Sequence, residues 1–83
     1  MSIEFYYVYM LQSLADLSRF YVGITRNLKQ RLSSHNAGWC VHTSHLRPWQ
    51  IETAVAFRSR EKAVAFEKYL KSHSGRAFAS KHF

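Results

Sequence analysis

Five side chains in this sequence have the types and order that cutting a phosphodiester requires: the phenols Tyr9 and Tyr21, the guanidinium of Arg31, the imidazole of His35 and the carboxylate of Glu67. Arginine presents a planar fork of donors that grips a phosphate and offsets charge building on a transferring phosphoryl group. Histidine, with an ordinary pKa of about 6.5, exchanges protons near neutrality. A phenol with a pKa near 10 is a poor base unless close cations lower it, so Tyr9 and Tyr21 need Arg31 or a metal beside them. Glu67 borders an apolar helical stripe of Ala63, Phe66 and Leu70, where a carboxylate is costly unless a cation or donor meets it. A lone acid completed by waters and a substrate phosphate suits Mg²⁺. Each residue also has a plainer reading. The tyrosines are ordinary sheet packing, Arg31 is a solvated charge, His35 complements a helix C-terminus, and Glu67 pairs with Lys71 four residues on.

To act together these groups must be brought close by strands and helices. Glu4 to Leu11 is rich in Tyr, Phe and Val, which suit a pleated surface. Phe5, Tyr7, Tyr9 and Leu11 share one face and Tyr6, Val8 and Met10 the other, so both faces are expected to be covered. Phe20 to Ile24 reads as a second strand, paired with the first as a hairpin because the connection is too short for a parallel crossover. Thr25 or Asn27 caps a helix to about Asn36, ended by Gly38, with Leu28 and Leu32 as its core stripe and Arg31 and His35 on the neighbouring one. Ala37 to Trp49 has loop character, and Ile51, Thr53, Val55 and Phe57 alternate as one face of a third strand. Ser59 caps a helix from about Arg60 to His73, Ser74-Gly75 ends it, and Arg76 to Phe83 forms a last short helix. The expectation is an α+β domain of order β-β-α-β-α-(α), a three-stranded antiparallel sheet flanked by helices, with residues 1–83 as one domain.

Composition narrows the partner. Lys plus Arg number 12 against 5 acids, a formal charge of +7, which points to a polyanion and most simply to nucleic acid. The phosphate contacts expected from the sequence are Arg26, Lys29, Arg60, Lys62, Lys68, Lys71 and Arg76, giving salt-dependent binding that ignores sequence. A single cysteine, Cys40, permits no internal disulfide. With no basic leader ahead of a long apolar run, a cytoplasmic location is expected and a membrane partner is not.

Val8-Tyr9 and Tyr21-Val22-Gly23 resemble the paired signature of the GIY-YIG nuclease superfamily. The stretch from Tyr21 through Arg31, Leu32, His35, Asn36 and Gly38 is similar to that family's second strand and first helix. The likeness is to its compact stand-alone bacterial members and, more distantly, to the nuclease domain at the start of excinuclease C. Two departures stand out: Tyr7 replaces the first-motif glycine, and Val41-His42-Thr43-Ser44 stands where many small relatives carry Lys-Tyr-Thr. The resemblance implies metal-dependent hydrolysis of DNA, with structured or damaged DNA as the expected substrate. A domain this small is expected to bind DNA weakly alone and to need a protein partner or self-association. The resemblance makes Tyr9 and Tyr21 the motif tyrosines, Arg31 the helix arginine, His35 the common histidine and Glu67 the ligand of one Mg²⁺ or Mn²⁺. The general base is left among Tyr9, Tyr21 and His35.

Three competing readings use the same residues. One is a non-catalytic nucleic-acid module on this scaffold. The second is a zinc site from Cys40, His42, His45 and His35. The third makes Trp39 and Trp49 a protein-interaction patch.

Overall fold

The computed structural model describes residues 4–83. Three strands, β1 (Tyr6–Ser13), β2 (Phe20–Thr25) and β3 (Trp49–Phe57), form an antiparallel sheet of order β2-β1-β3. The aromatic and β-branched first segment therefore runs through the middle, with Tyr9 opposite Gly23 on one side and Ala54 on the other. The β1–β2 hairpin closes through Ser13, whose amide donates to the Arg19 carbonyl at 3.0 Å. The Ser13 hydroxyl oxygen also accepts from the amides of Ala15 and Asp16.

Both faces of the central strand are covered, as its two apolar residue sets require. On one side Tyr6, Val8 and Met10, with Val22, Ile24 and Phe57, pack under α2 (Arg60–Lys71) and α3 (His73–His82), meeting Ala63, Phe66, Leu70, Phe78 and Ala79. On the other, Tyr9, Leu11, Tyr21 and Trp49 pack under α1 (Leu28–Asn36) through Leu28 and Leu32, and against Leu46. Asn27 caps α1 by accepting from the Gln30 amide at 3.0 Å, and Ser59 caps α2 by accepting from Lys62. Gly38, at φ 83°, ends the first helix region in the left-handed conformation that its missing Cβ permits.

Two details differ from the sequence expectation. The third strand begins at Trp49, two residues early, and does not keep one alternating face. Met10 pairs with Thr53 and Leu11 with Ile51, so Glu52 is an extra residue in a β-bulge. The inserted residue reverses the parity. Phe57 lies on the α2 side, while Trp49 turns to the α1 side and fills the second core. Gly75, expected with Ser74 to end a helix, lies inside α3. Ser72 ends α2 and caps α3, accepting from the Gly75 amide at 3.1 Å. Gly75 serves close approach here, because a Cβ would run into the Tyr69 carbonyl at the end of α2. Among the described residues no helix is long and apolar enough to cross a membrane.

Candidate active site

Arg31 and His35 stand one turn apart on α1, so both reach the same point above the sheet. That point is the Tyr9 hydroxyl, which emerges from the central strand over Gly23. A side chain at Gly23 would strike the phenol: its Cβ would lie 2.6 Å from Tyr9 Cζ. The glycine of the second tyrosine segment is thus the gap through which Tyr9 reaches the helix.

Arg31 Nε donates to Tyr9 Oη at 3.3 Å, and Tyr9 Oη lies 3.1 Å from His35 Nε2. On the far side of the ring, His35 Nδ1 lies 2.9 Å from Thr43 Oγ1, and the Thr43 hydroxyl donates to the Cys40 carbonyl at 3.3 Å. These partners set the direction of every proton. Thr43 gives its hydrogen to the carbonyl, so its oxygen accepts from Nδ1–H. Neutral His35 then carries its lone pair on Nε2 and accepts from the Tyr9 phenol. The chain runs Arg31 to Tyr9 to His35 to Thr43 to the Cys40 carbonyl.

Burial and charge set the protonation states. Burial pushes the Tyr9 phenol up from its ordinary value, outweighing the lowering effect of the Arg31 hydrogen bond and charge. The sequence expectation that Arg31 would lower this phenol is therefore reversed in the bare protein, and Tyr9 is a neutral donor at pH 7. Burial, followed by the Arg31 charge, pulls His35 down, so its imidazole is neutral and ready to accept a proton. The hydrogen bond to Tyr9 holds Arg31 above its usual value.

Tyr21 joins the cluster through its ring, 4.9 Å from His35 and 6.3 Å from Tyr9 between centroids. A cleft of about 300 Å³ opens on the cluster and is lined by Arg31, Ser34, His35, Trp39 and Cys40. A larger one, about 700 Å³, lies at the end of the sheet between β2, α2 and α3. Tyr21 contributes to its wall together with Arg19, Lys71, Arg76 and Phe83.

Glu67 is not hydrogen-bonded into the Arg31–Tyr9–His35 chain. It is on α2, which covers the opposite face of the sheet, and its partly buried carboxylate (side chain 18% exposed) meets Lys71 Nζ at 3.5 Å. Among the described residues it makes no hydrogen bond to Tyr9, Tyr21, Arg31 or His35. Of the cations singled out in the sequence, Arg26 pairs with Glu4 and lies 5.4 Å from the Tyr6 ring centroid, and Lys71 is held by Glu67. Lys29, Arg60, Lys62, Lys68 and Arg76 are exposed.

The structure adds residues that sequence reasoning missed. Thr43 fixes the His35 tautomer, and no periodicity announces a partner eight residues away across an irregular loop. Asn36 clips the end of α1 to β3, donating to the Trp49 carbonyl at 3.1 Å and accepting from its amide at 2.6 Å. Trp49, expected in an interaction patch with Trp39, is instead buried, and its indole donates to the Thr43 carbonyl at 2.9 Å. Trp49 and Asn36 thereby hold the loop that holds His35. The four-ligand zinc arrangement does not form. Both ring nitrogens of His35 are engaged, and among the described residues no three His, Cys, Asp or Glu side chains gather closely enough to bind a metal.

The family signature described as the GIY-YIG catalytic domain matches residues 5–81. The chain is 44% identical over 68 residues to the structure-specific endonuclease subunit SLX1 of Chaetomium globosum, covering 75% of this chain and 21% of that protein. It is 38% identical over 74 residues to the protein of the same name from Yarrowia lipolytica, covering 81% and 26%. To that of Podospora anserina it is 43% identical over 68 residues, covering 75% and 20%. The chain therefore spans about a fifth to a quarter of the length of these curated relatives. Since the signature runs from just before β1 into α3, the chain belongs to the GIY-YIG catalytic domain family.

Proposed function

We propose that this domain is a divalent-metal-dependent DNA endonuclease that hydrolyses phosphodiester bonds in structured DNA such as flaps and branches. The observation that carries the reading is the directed hydrogen-bond chain from Arg31 through Tyr9 to neutral His35, beside an open cleft. It is supported by the family and by relatives named as structure-specific endonuclease subunits. Their name as subunits also favours a protein partner for the working enzyme.

In this mechanism a water sits against Tyr9 Oη. As the water loses a proton to Tyr9, the phenolic proton passes to His35 Nε2, so no free phenolate has to persist. His35 becomes an imidazolium steadied by Thr43. The hydroxide attacks phosphorus, the 3′-oxygen leaves, and that oxygen takes a proton from solvent. Arg31, exposed toward the cleft, offsets the charge that builds on the phosphoryl oxygens. Tyr21 packs the His35 ring in place.

Glu67 would hold one Mg²⁺ or Mn²⁺. A single partly buried carboxylate fits a hard ion that keeps several waters and takes substrate oxygens, with Lys71 released from its pairing. Bound there, an ion would supply polarisation of the scissile phosphate and charge stabilisation at the leaving oxygen. Lys29, Arg60, Lys62, Lys68 and Arg76, with Arg26 and Lys71 once freed from their acids, would follow the phosphate backbone.

The non-catalytic reading draws on one observation: Glu67 is paired with Lys71 and, among the described residues, has no hydrogen bond to the Arg31–Tyr9–His35 chain. One experiment separates the two. Wild type, Arg31→Ala and Glu67→Ala are incubated with plasmid, flapped and branched DNA in Mg²⁺, Mn²⁺ or EDTA. Metal-dependent cutting by wild type, falling at least a hundredfold in both variants, is expected for loss of such charge-stabilising groups (about 10²–10³-fold). Salt-dependent binding without cleavage under either metal establishes the binding module instead.

A further inference from the structure

We propose that Trp39 is a stacking platform for a nucleobase outside the duplex, and that it directs the site toward DNA carrying an unpaired nucleotide beside the cut. The inference rests on the nuclease reading and names the feature of the substrate that this site selects. Trp39 is 79% exposed, whereas Trp49 is buried in the core. Among the described residues the Trp39 indole has no aromatic neighbour, no cation over its face and no hydrogen bond. Leaving so large an apolar ring in water is unfavourable, and the ring lies on the rim of the cleft that contains Arg31 and His35.

Its backbone is fixed on both sides. Gly38 turns the chain at φ 83°, the Trp39 amide donates to the Ser34 carbonyl at 3.2 Å, and the Cys40 carbonyl accepts from the amides of Thr43 and Ser44 at 3.1 and 3.0 Å. Cys40, partly buried, and Trp39 both line the cleft, and the equally exposed Val41 lies outside its lining. A platform held this way needs little ordering when a ligand arrives.

The chemistry of the occupant follows from the neighbours. A cleft with a guanidinium, on a chain of net charge +7, attracts a phosphate-bearing polymer. Every base has a π-face that an indole can cover, so stacking discriminates poorly among bases. It discriminates well between a base already stacked in a duplex and one that is free. Trp39 would thus read DNA shape without reading sequence.

The test measures binding in EDTA, where no cleavage is needed. Wild type, Trp39→Ala and Trp39→Phe are titrated by fluorescence anisotropy against a paired duplex and the same duplex with a single-stranded flap. A 2-aminopurine is placed at the first flap nucleotide. Trp39→Ala is expected to weaken flap binding roughly ten- to a hundredfold while duplex binding changes less than about twofold, with Trp39→Phe retaining most of the affinity. The 2-aminopurine should be quenched by wild type and not by Trp39→Ala. Equal losses on both DNAs, or no loss on either, overturn the proposal; the latter result leaves the ring as a protein contact. A wild-type chain that never cuts yet prefers the flap through Trp39 sinks the nuclease reading and keeps this one.

Discussion

In the proposed mechanism the chemistry turns on His35, because its environment decides both which nitrogen is free and when it is charged. Burial and Arg31 lower its proton affinity in the folded chain, so the unfolded chain binds the proton more readily. Stability is therefore full above the ordinary imidazole value of about 6.5 and is lost as pH falls below it toward the depressed folded value. Urea unfolding between pH 5 and 8 should show this decline in wild type. His35→Gln, which cannot titrate, should lack that part of it, and parallel curves for the two proteins would refute the assignment. The same depression keeps the ring in its proton-accepting form at neutral pH, as the proposed transfer from Tyr9 requires.

The strands supply the geometry, and Gly23 of β2 is where their packing meets the chemistry. Substituting Gly23→Ala puts a methyl group where the Tyr9 phenol now passes, and the ring must move away from Arg31 and His35. Cleavage of flapped DNA should fall about a hundredfold, the scale set by ångström-level misplacement of a reacting group. DNA binding by anisotropy should be nearly unchanged; a variant that cuts normally would remove Tyr9 from the mechanism. Much of this arrangement was legible in the sequence. The two faces of β1, the Leu28–Leu32 stripe, the Asn27 and Ser59 caps and the Gly38 terminus all follow from local periodicity and capping chemistry. The rest depends on packing that no local pattern records. The bulge at Glu52 exists because Trp49 is needed in the second core. Gly75 is inside a helix because two helices nearly touch there. Thr43 meets His35 only because the loop folds back onto α1. Tyr9 is harder to ionise than its cationic neighbour suggests because burial outweighs the attraction.

Across the whole molecule, charge would govern the proposed encounter with DNA. Among the described residues two ion pairs form, Arg26–Glu4 and Lys71–Glu67, leaving most of the 12 Lys and Arg free of an acidic partner. The logarithm of the binding constant should fall linearly with the logarithm of salt concentration, and Lys29→Ala or Lys62→Ala should each flatten that slope by about one. An unchanged slope would mean that those side chains are merely solvated. The same molecule also has unequal tolerance for changes in its length. Deleting one residue between Trp49 and Thr53 would cancel the two-against-one pairing, swing the indole into water and release the loop that steadies the imidazole. The hairpin tip at Ala15–Leu17 is exposed and lies outside the strand ladder, so an added residue there changes no register. Tags, reporters or grafted segments therefore belong at that tip, and the first half of the last strand admits no miscounting.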